Sequence, residues 1–131
     1  MLLIDTDTMA FFFRGHPQVV DNFREHRQDP KAISVITVGE LLFGARKSKR
    51  PVENEAKVLQ AVESFEVIPV SVQVMEIYAS VRTAVERVGK PVPGFDLLIA
   101  STALHRDLEL VTNNERHFVH VPGLRVANWS K

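Results

Sequence analysis

Apolar runs of strand length alternate with helical stripes along the whole chain, the sequence form of an α/β domain with a mainly parallel sheet. Leu2 to Asp5 reads as a first buried strand, because its apolar run does not alternate and parallel strands are covered on both faces. A helix is expected from about Thr8 to Arg14, a break near Gly15 to Pro17, and a second helix to about Gln28, where Pro30 stops it. Ile33 to Ile36 reads as a second strand, followed by a helix from Thr37 to about Lys47. Pro51 suits the first turn of a further helix, whose stripe of Val58, Leu59, Val62 and Phe65 leads to a third strand around Glu66 to Val70. Val74, Tyr78, Val81, Val85 and Val88 recur at three- and four-residue steps, the spacing of one buried helix face. Gly89 ends that helix. After Pro91-Val92-Pro93-Gly94 a helix opens at Asp96, and Leu108 to Thr112 and Leu124 to Val126 read as the last two strands.

No repeat, low-complexity tract or long linker divides this pattern, so residues 1–131 are expected to form one domain. The chain has no cysteine, which excludes disulfides, thiolate metal sites and a cysteine nucleophile. A cytoplasmic setting is the expectation. The apolar runs fall well short of the ~20 residues of a membrane span, and Met1-Leu2-Leu3-Ile4-Asp5 lacks the positive start of a secretory signal. Taken alone, the balance of 16 Lys+Arg against 16 Asp+Glu argues against a polyanionic partner.

Four carboxylates change that reading. Asp5 closes the first strand, Asp7 lies two residues on, Glu40 falls in the expected first turn of the helix after the second strand, and Asp96 opens the helix before the fourth. In open α/β sheets ligands bind beyond the carboxyl ends of the strands, where strand order reverses. With the first strand central, Asp5, Glu40 and the Thr112-Asn113-Asn114 end of the fourth strand share that edge, and Asp96 joins them where its helix begins beside it. Crowded carboxylates either take up protons or bind a cation, and an all-oxygen donor set suits Mg²⁺, with Mn²⁺ as substitute. Such an ion can activate water and neutralise charge on a phosphodiester. Each acid also has a local reading: Asp5 as a turn residue, Asp7 and Asp96 as helix N-caps, and Thr37-Val38-Gly39-Glu40 as a capping box. It is their joint placement that points to phosphodiester hydrolysis.

The blocks Leu2-Leu3-Ile4-Asp5-Thr6-Asp7, Ser34-Val35-Ile36-Thr37-Val38-Gly39-Glu40-Leu41 with Gly44-Ala45, Asp96-Leu97-Leu98-Ile99-Ala100, and Leu110-Val111-Thr112-Asn113-Asn114 with Phe118 resemble PIN-domain ribonucleases, and more closely the VapC-type toxins of toxin–antitoxin pairs. Val121-Pro122-Gly123-Leu124-Arg125-Val126 and Trp129 extend the resemblance to essentially the whole chain. It implies a parallel sheet of about five strands, the first central, with helices on both faces. It implies Asp5, Glu40 and Asp96 around Mg²⁺, with Asn114 completing the site and Thr112 supplying a nearby hydroxyl. Asn114 stands where many relatives have aspartate, and Asp7 where many have asparagine, so a carboxylate lost at one position is matched by one gained at another. The implied activity is cleavage of RNA at few sites, and the Asn113-Asn114 ending with Val-Pro-Gly-Leu-Arg is similar to the subgroup that cuts initiator tRNA in its anticodon loop. Members are commonly homodimers, inhibited by a VapB-type antitoxin whose tail occupies the active-site groove.

Arg46-Lys47-Ser48-Lys49-Arg50 is the one dense basic run. Its cations, Arg46, Lys47, Lys49 and Arg50, are candidates both for closing a helix C-terminus and for contacting RNA phosphates. Phe11-Phe12-Phe13 would fan across ~200° of a helix at 3.6 residues per turn, so at least one is expected to face a dimer mate or the antitoxin. His105, His117 and His120 read as ordinary helix-face, surface or loop histidines. Two other functions are compatible with parts of the pattern. Ile4-Asp5-Thr6-Asp7 is similar to the nucleophile motif of haloacid dehalogenase-type phosphatases, but that motif expects Thr or Val where this chain has Met9, and no Asp-Asp metal motif follows. A non-catalytic PIN-like binding module is the other, suggested by the neutral Asn114. With four acids set into a metal site, 12 remain elsewhere against 16 basic residues, so neutrality conceals a modestly basic surface and no longer counts against RNA.

Overall fold

The computed structural model describes residues 1–131. Its elements are β1 (Leu2–Ile4), α1 (Thr6–Phe13), α2 (Pro17–Glu25), β2 (Lys31–Ser34), α3 (Val35–Arg46), α4 (Pro51–Val62), β3 (Glu66–Ile68), α5 (Val72–Arg87), α6 (Gly94–Arg106), β4 (Glu109–Val111), α7 (Glu115–Phe118) and β5 (Val126–Ala127). The five strands form a parallel sheet in the order β3-β2-β1-β4-β5, with the first strand at the centre as expected.

Alternation along three strands explains why both faces are covered. Leu3, Ala32 and Leu110 point into one core with Val81 and Val85 of α5, Ile99 and Ala103 of α6, and Phe118 of α7. Their neighbours Ile4, Ile33 and Val111 point into a second core with Met9 of α1, Val19 of α2, Leu41 of α3, Val58 of α4 and Trp129. Strands buried on both sides have no polar face to show, which is why they read as continuous apolar runs. Register sets Leu3 beside both Ala32 and Leu110. All strands being parallel, Asp5, Ser34 and Thr112 leave β1, β2 and β4 at one edge.

Several boundaries differ from those expected. The second strand ends at Ser34, not Ile36, because the Ser34 hydroxyl accepts the Ile36 N–H at 3.0 Å and starts α3 there. The Thr37 capping box therefore does not form, and Glu40 lies in the second turn of α3 rather than the first. Helix α1 begins at Thr6 because Asp5, not Asp7, is its N-cap, accepting the Thr6 N–H at 2.8 Å. Helix α6 begins at Gly94, so Asp96 is a first-turn residue and not the cap. Val88 lies just past α5 and is exposed, while Gly89 beyond it takes φ +71, the left-handed conformation that glycine adopts without strain. The last strand is Val126–Ala127. No helix is long and apolar enough to cross a membrane.

Candidate active site

Asp5 is the centre of the polar edge. It is only 3% exposed, yet carries a carboxyl group. Its Oδ1 takes the Thr6 N–H, and its Oδ2 takes the Thr112 hydroxyl at 2.8 Å. Burial pushes its pKa from 3.8 up to about 7, with the charge of Asp7 as the next cause and that of Asp96 a smaller one. The hydrogen bonds from Thr112 and Thr6 act in the opposite direction and recover only part of the shift.

Asp7 points toward the same place from the first turn of α1. The Asn113 backbone N–H donates to its Oδ2 at 3.1 Å, and the Thr112 hydroxyl lies 3.5 Å from its Oδ1. Its pKa is also raised, mainly by burial, with the charge of Asp96 contributing. Asp96 brings its carboxylate from α6, where His117 Nδ1 lies 2.7 Å from Oδ2. Asp5, Asp7 and Asp96 thus act on one another through their charge, and Thr112 binds Asp5 directly.

Glu40 reaches the edge by a different route. The Thr6 hydroxyl donates to its Oε1 at 2.6 Å and lies 3.0 Å from the hydroxyl of the buried Thr37. Glu40 is not among the leading charges acting on Asp5 or Asp7. It stands instead between two surface recesses that both include Thr6. One, of about 420 Å³, runs between α1, α3 and α4 past Phe13, Arg14 and Lys57. The other, of about 690 Å³, passes Phe43, Lys47 and Phe95.

Asn114 caps α7 without using its side chain, and its backbone N–H donates to Thr112 Oγ1 at 3.0 Å. The neighbouring Asn113 has both polar side-chain atoms buried and unpartnered, so the wall of the site holds unmet hydrogen-bonding capacity. The basic run sits apart, at the far end of α3. Arg46 pairs with Glu55 at 3.0 Å and Arg50 with Glu53 at 3.5 Å, and Lys47 lies over the Phe43 ring. Lys49 has no carboxylate partner within 4.0 Å among the ion pairs of the chain. Two of the four cations are therefore already occupied by α4.

No three Asp, Glu or His side chains are closed around one point. The donor chemistry nonetheless fits a hard divalent cation. The available donors are carboxylate and amide oxygens, and burial with like charge disfavours the ionised forms of Asp5 and Asp7, which a bound cation would offset. Asp5, Asp7 and Asp96 could hold such an ion, with Glu40 and the Asn114 carbonyl oxygen in reserve.

A PIN domain family model matches residues 2–124. Over 127 residues the chain is 34% identical to the tRNA(fMet)-specific endonuclease VapC of Salmonella typhimurium, covering 97% of this chain and 96% of that protein. The chain belongs to the VapC family of PIN-domain proteins. VapC neighbours of known structure share the fold at a TM-score of 0.90: DNA-bound VapBC from Salmonella typhimurium, at 35% identity over 98% of this chain and 99% of that one, and VapBC2 from Rickettsia felis bound to a DNA fragment from its promoter, at 32% identity over 98% of each chain. Membership places it among the VapC ribonucleases of toxin–antitoxin systems.

Reading the sequence alone missed three contributors to this VapC site. Thr6 follows Asp5 and carries the link to Glu40. The Asn113 amide holds Asp7. His117, assigned to the surface, is half-buried against Asp96. Thr6 and Asn113 had local signals, Thr6 between two acids of the first motif and Asn113 at the end of the fourth strand, whereas His117 had none.

Proposed function

We propose that this chain is a divalent-metal-dependent endoribonuclease toxin whose substrate is initiator tRNA, cut in the anticodon loop, and whose partner is a VapB-type antitoxin. The observation that carries the reading is the buried Asp5 carboxyl at the edge where β1 meets β4, bonded to Thr112 and flanked by Asp7, which the Asn113 amide holds. Kept ionised at neutral pH, a buried acid with the raised proton affinity of Asp5 is costly, and a bound cation offsets that cost. When bound by Asp5, Asp96, Glu40 and Asp7, Mg²⁺ or its substitute Mn²⁺ supplies activation of water and neutralisation of the charge that develops on the phosphodiester.

The rest of the work belongs to the protein's own groups. The Thr112 hydroxyl and Thr6 amide fix both oxygens of Asp5, and the Asn113 amide fixes Asp7, so the acids are oriented before substrate arrives. Asn114 offers a neutral carbonyl oxygen at the rim, which leaves the site with less negative charge to repel a phosphate. Lys47 and Lys49, with Arg46 and Arg50 already paired to Glu55 and Glu53, would meet the RNA backbone as a diffuse positive surface rather than as base readers. The initiator tRNA assignment is supported by the name of the Salmonella relative and by the Asn113-Asn114 ending. The reaction is proposed to take place in the cytoplasm.

The decisive assay incubates the purified protein with total RNA and with initiator tRNA, with and without Mg²⁺. Cleavage of initiator tRNA only when Mg²⁺ is present is the expected result. Cleavage that persists after chelation would remove the metal from the reading, and binding without any cleavage would establish a non-catalytic RNA-binding module instead.

The antitoxin tail is proposed to lie in the 420 Å³ recess. Of the three phenylalanines in α1, Phe11 and Phe12 are partly buried against the second core, whereas Phe13 is 37% exposed and lines this recess with Arg14 and Glu40. Phe13→Asp is expected to weaken antitoxin capture at least ~10-fold, as loss of an interface anchor does, with little change in the melting temperature. A titration with the co-purified antitoxin checks this, and an unaltered affinity would place the tail elsewhere. The chain is also proposed to form a homodimer.

A further inference from the structure

Asp96 is held by a single side chain. The His117 ring donates from Nδ1 to Asp96 Oδ2 at 2.7 Å. A carboxylate only accepts, so Nδ1 carries the proton whichever charge state the ring adopts. Nothing else fixes this acid. It lies in the first turn of α6, where Pro93 provides no side-chain cap, and its other oxygen receives no hydrogen bond from the chain.

The turn that carries His117 is itself tied down. Phe118 is fully buried in the first core, and the His117 N–H donates to the Asn114 carbonyl at 2.9 Å. The Asn114 N–H donates to Thr112 Oγ1 at 3.0 Å, and the Thr112 hydroxyl donates onward to Asp5 Oδ2 at 2.8 Å. One run of hydrogen bonds therefore leads from Asp5 through Thr112 and α7 to Asp96, and its last link is the imidazole.

We propose that His117 is a positioning residue, which holds the Asp96 carboxylate at a set place relative to Asp5 and thereby tightens divalent-metal binding without touching the ion. The inference rests on the metal-site reading above. A purely structural purpose for the pair is a poor alternative: both side chains are part-exposed, at 32% and 20%, such pairs add little to folding, and Phe118 already anchors the turn.

The test is a Mn²⁺ titration near neutral pH, following the resonance of the free ion, on the full chain and on His117→Ala, His117→Asn, His117→Gln and Asp96→Asn. The amide nitrogen of asparagine falls where Nδ1 was, whereas that of glutamine reaches toward the position of Nε2. His117→Ala and His117→Gln are expected to bind Mn²⁺ about 10–100-fold more weakly, the usual effect of losing a group that orients a ligand. His117→Asn should recover most of the affinity, and RNA cleavage should follow the same order. If His117→Ala fails to fold, the contrast between the asparagine and glutamine variants decides. Wild-type affinity in His117→Ala, or equal losses in the asparagine and glutamine variants, overturns the positioning assignment while Asp96→Asn still loses the ion. Should the wild type take up no Mn²⁺, or Asp96→Asn bind as well as the wild type, the metal-site reading falls and this inference with it.

Discussion

Asp5→Asn is expected to reduce RNA cleavage by on the order of 10³-fold or more, since on the proposed reading it removes a metal ligand that helps place several kcal/mol of charge stabilisation. The same substitution should make the metal-free protein more stable at about pH 8 by removing a buried anion. Those opposite signs are the useful part. The asparagine carbonyl can still accept the Thr6 N–H, and its NH₂ can donate to the Thr112 hydroxyl, so the cap on α1 and the link to β4 survive. A substitution that simply damaged the fold would lower both quantities. Cleavage rates on initiator tRNA, set beside melting curves in chelator, separate the two. Activity that survives in Asp5→Asn would mean that the chemistry lies elsewhere on the molecule.

Metal-free protein should lose stability as pH rises from 3.8 to about 7, the two values between which the Asp5 carboxyl moves on folding. The folded state binds its proton more tightly than the unfolded chain, so the contribution is complete below the lower value and gone above the upper one. Over that window the loss is on the order of 4 kcal/mol, or roughly 15 °C in Tm for a chain of this size. Asp7, shifted in the same direction, adds to it. Mg²⁺ competes with the proton, so it should raise the Tm markedly at about pH 8 and little at about pH 5. Melting curves across this range, for the wild type and Asp5→Asn with and without Mg²⁺, give the contribution as a difference. Parallel pH profiles for the two proteins would show that Asp5 is not the buried acid responsible.

How far the sequence could be read depended on whether a residue's role was local. Leu2 to Ile4 is apolar at every position and ends in an acid, so a central strand delivering Asp5 to the sheet edge was visible without coordinates. The α/β alternation and both sides of the core followed in the same way. Glu40 was placed on the correct helix but in the wrong turn. Val35, Ile36 and Thr37 are all β-branched and continue the look of the strand, and only the Ser34 hydroxyl, accepting the Ile36 N–H, decides that the helix has begun. His117 gave no signal at all. Its partner is 21 residues earlier on another element, and no spacing rule connects a one-turn helix with the start of α6. The ion pairs of the basic run were not legible, because Glu53 and Glu55, which engage Arg50 and Arg46, belong to the next helix.

The central place of β1 also sets a timetable. The bond that orients Asp5 comes from Thr112, 107 residues later, and β1 gains its second neighbour only when β4 arrives. A chain leaves the ribosome N-terminus first, so Asp5, Asp7 and Glu40 emerge long before Asp96, Thr112 and the α7 turn exist. Throughout most of its own synthesis the nascent chain holds half of the acidic edge with nothing to complete it. On the proposed reading as an endoribonuclease toxin, the chain is thereby kept from cutting the RNA around it until its synthesis is almost finished.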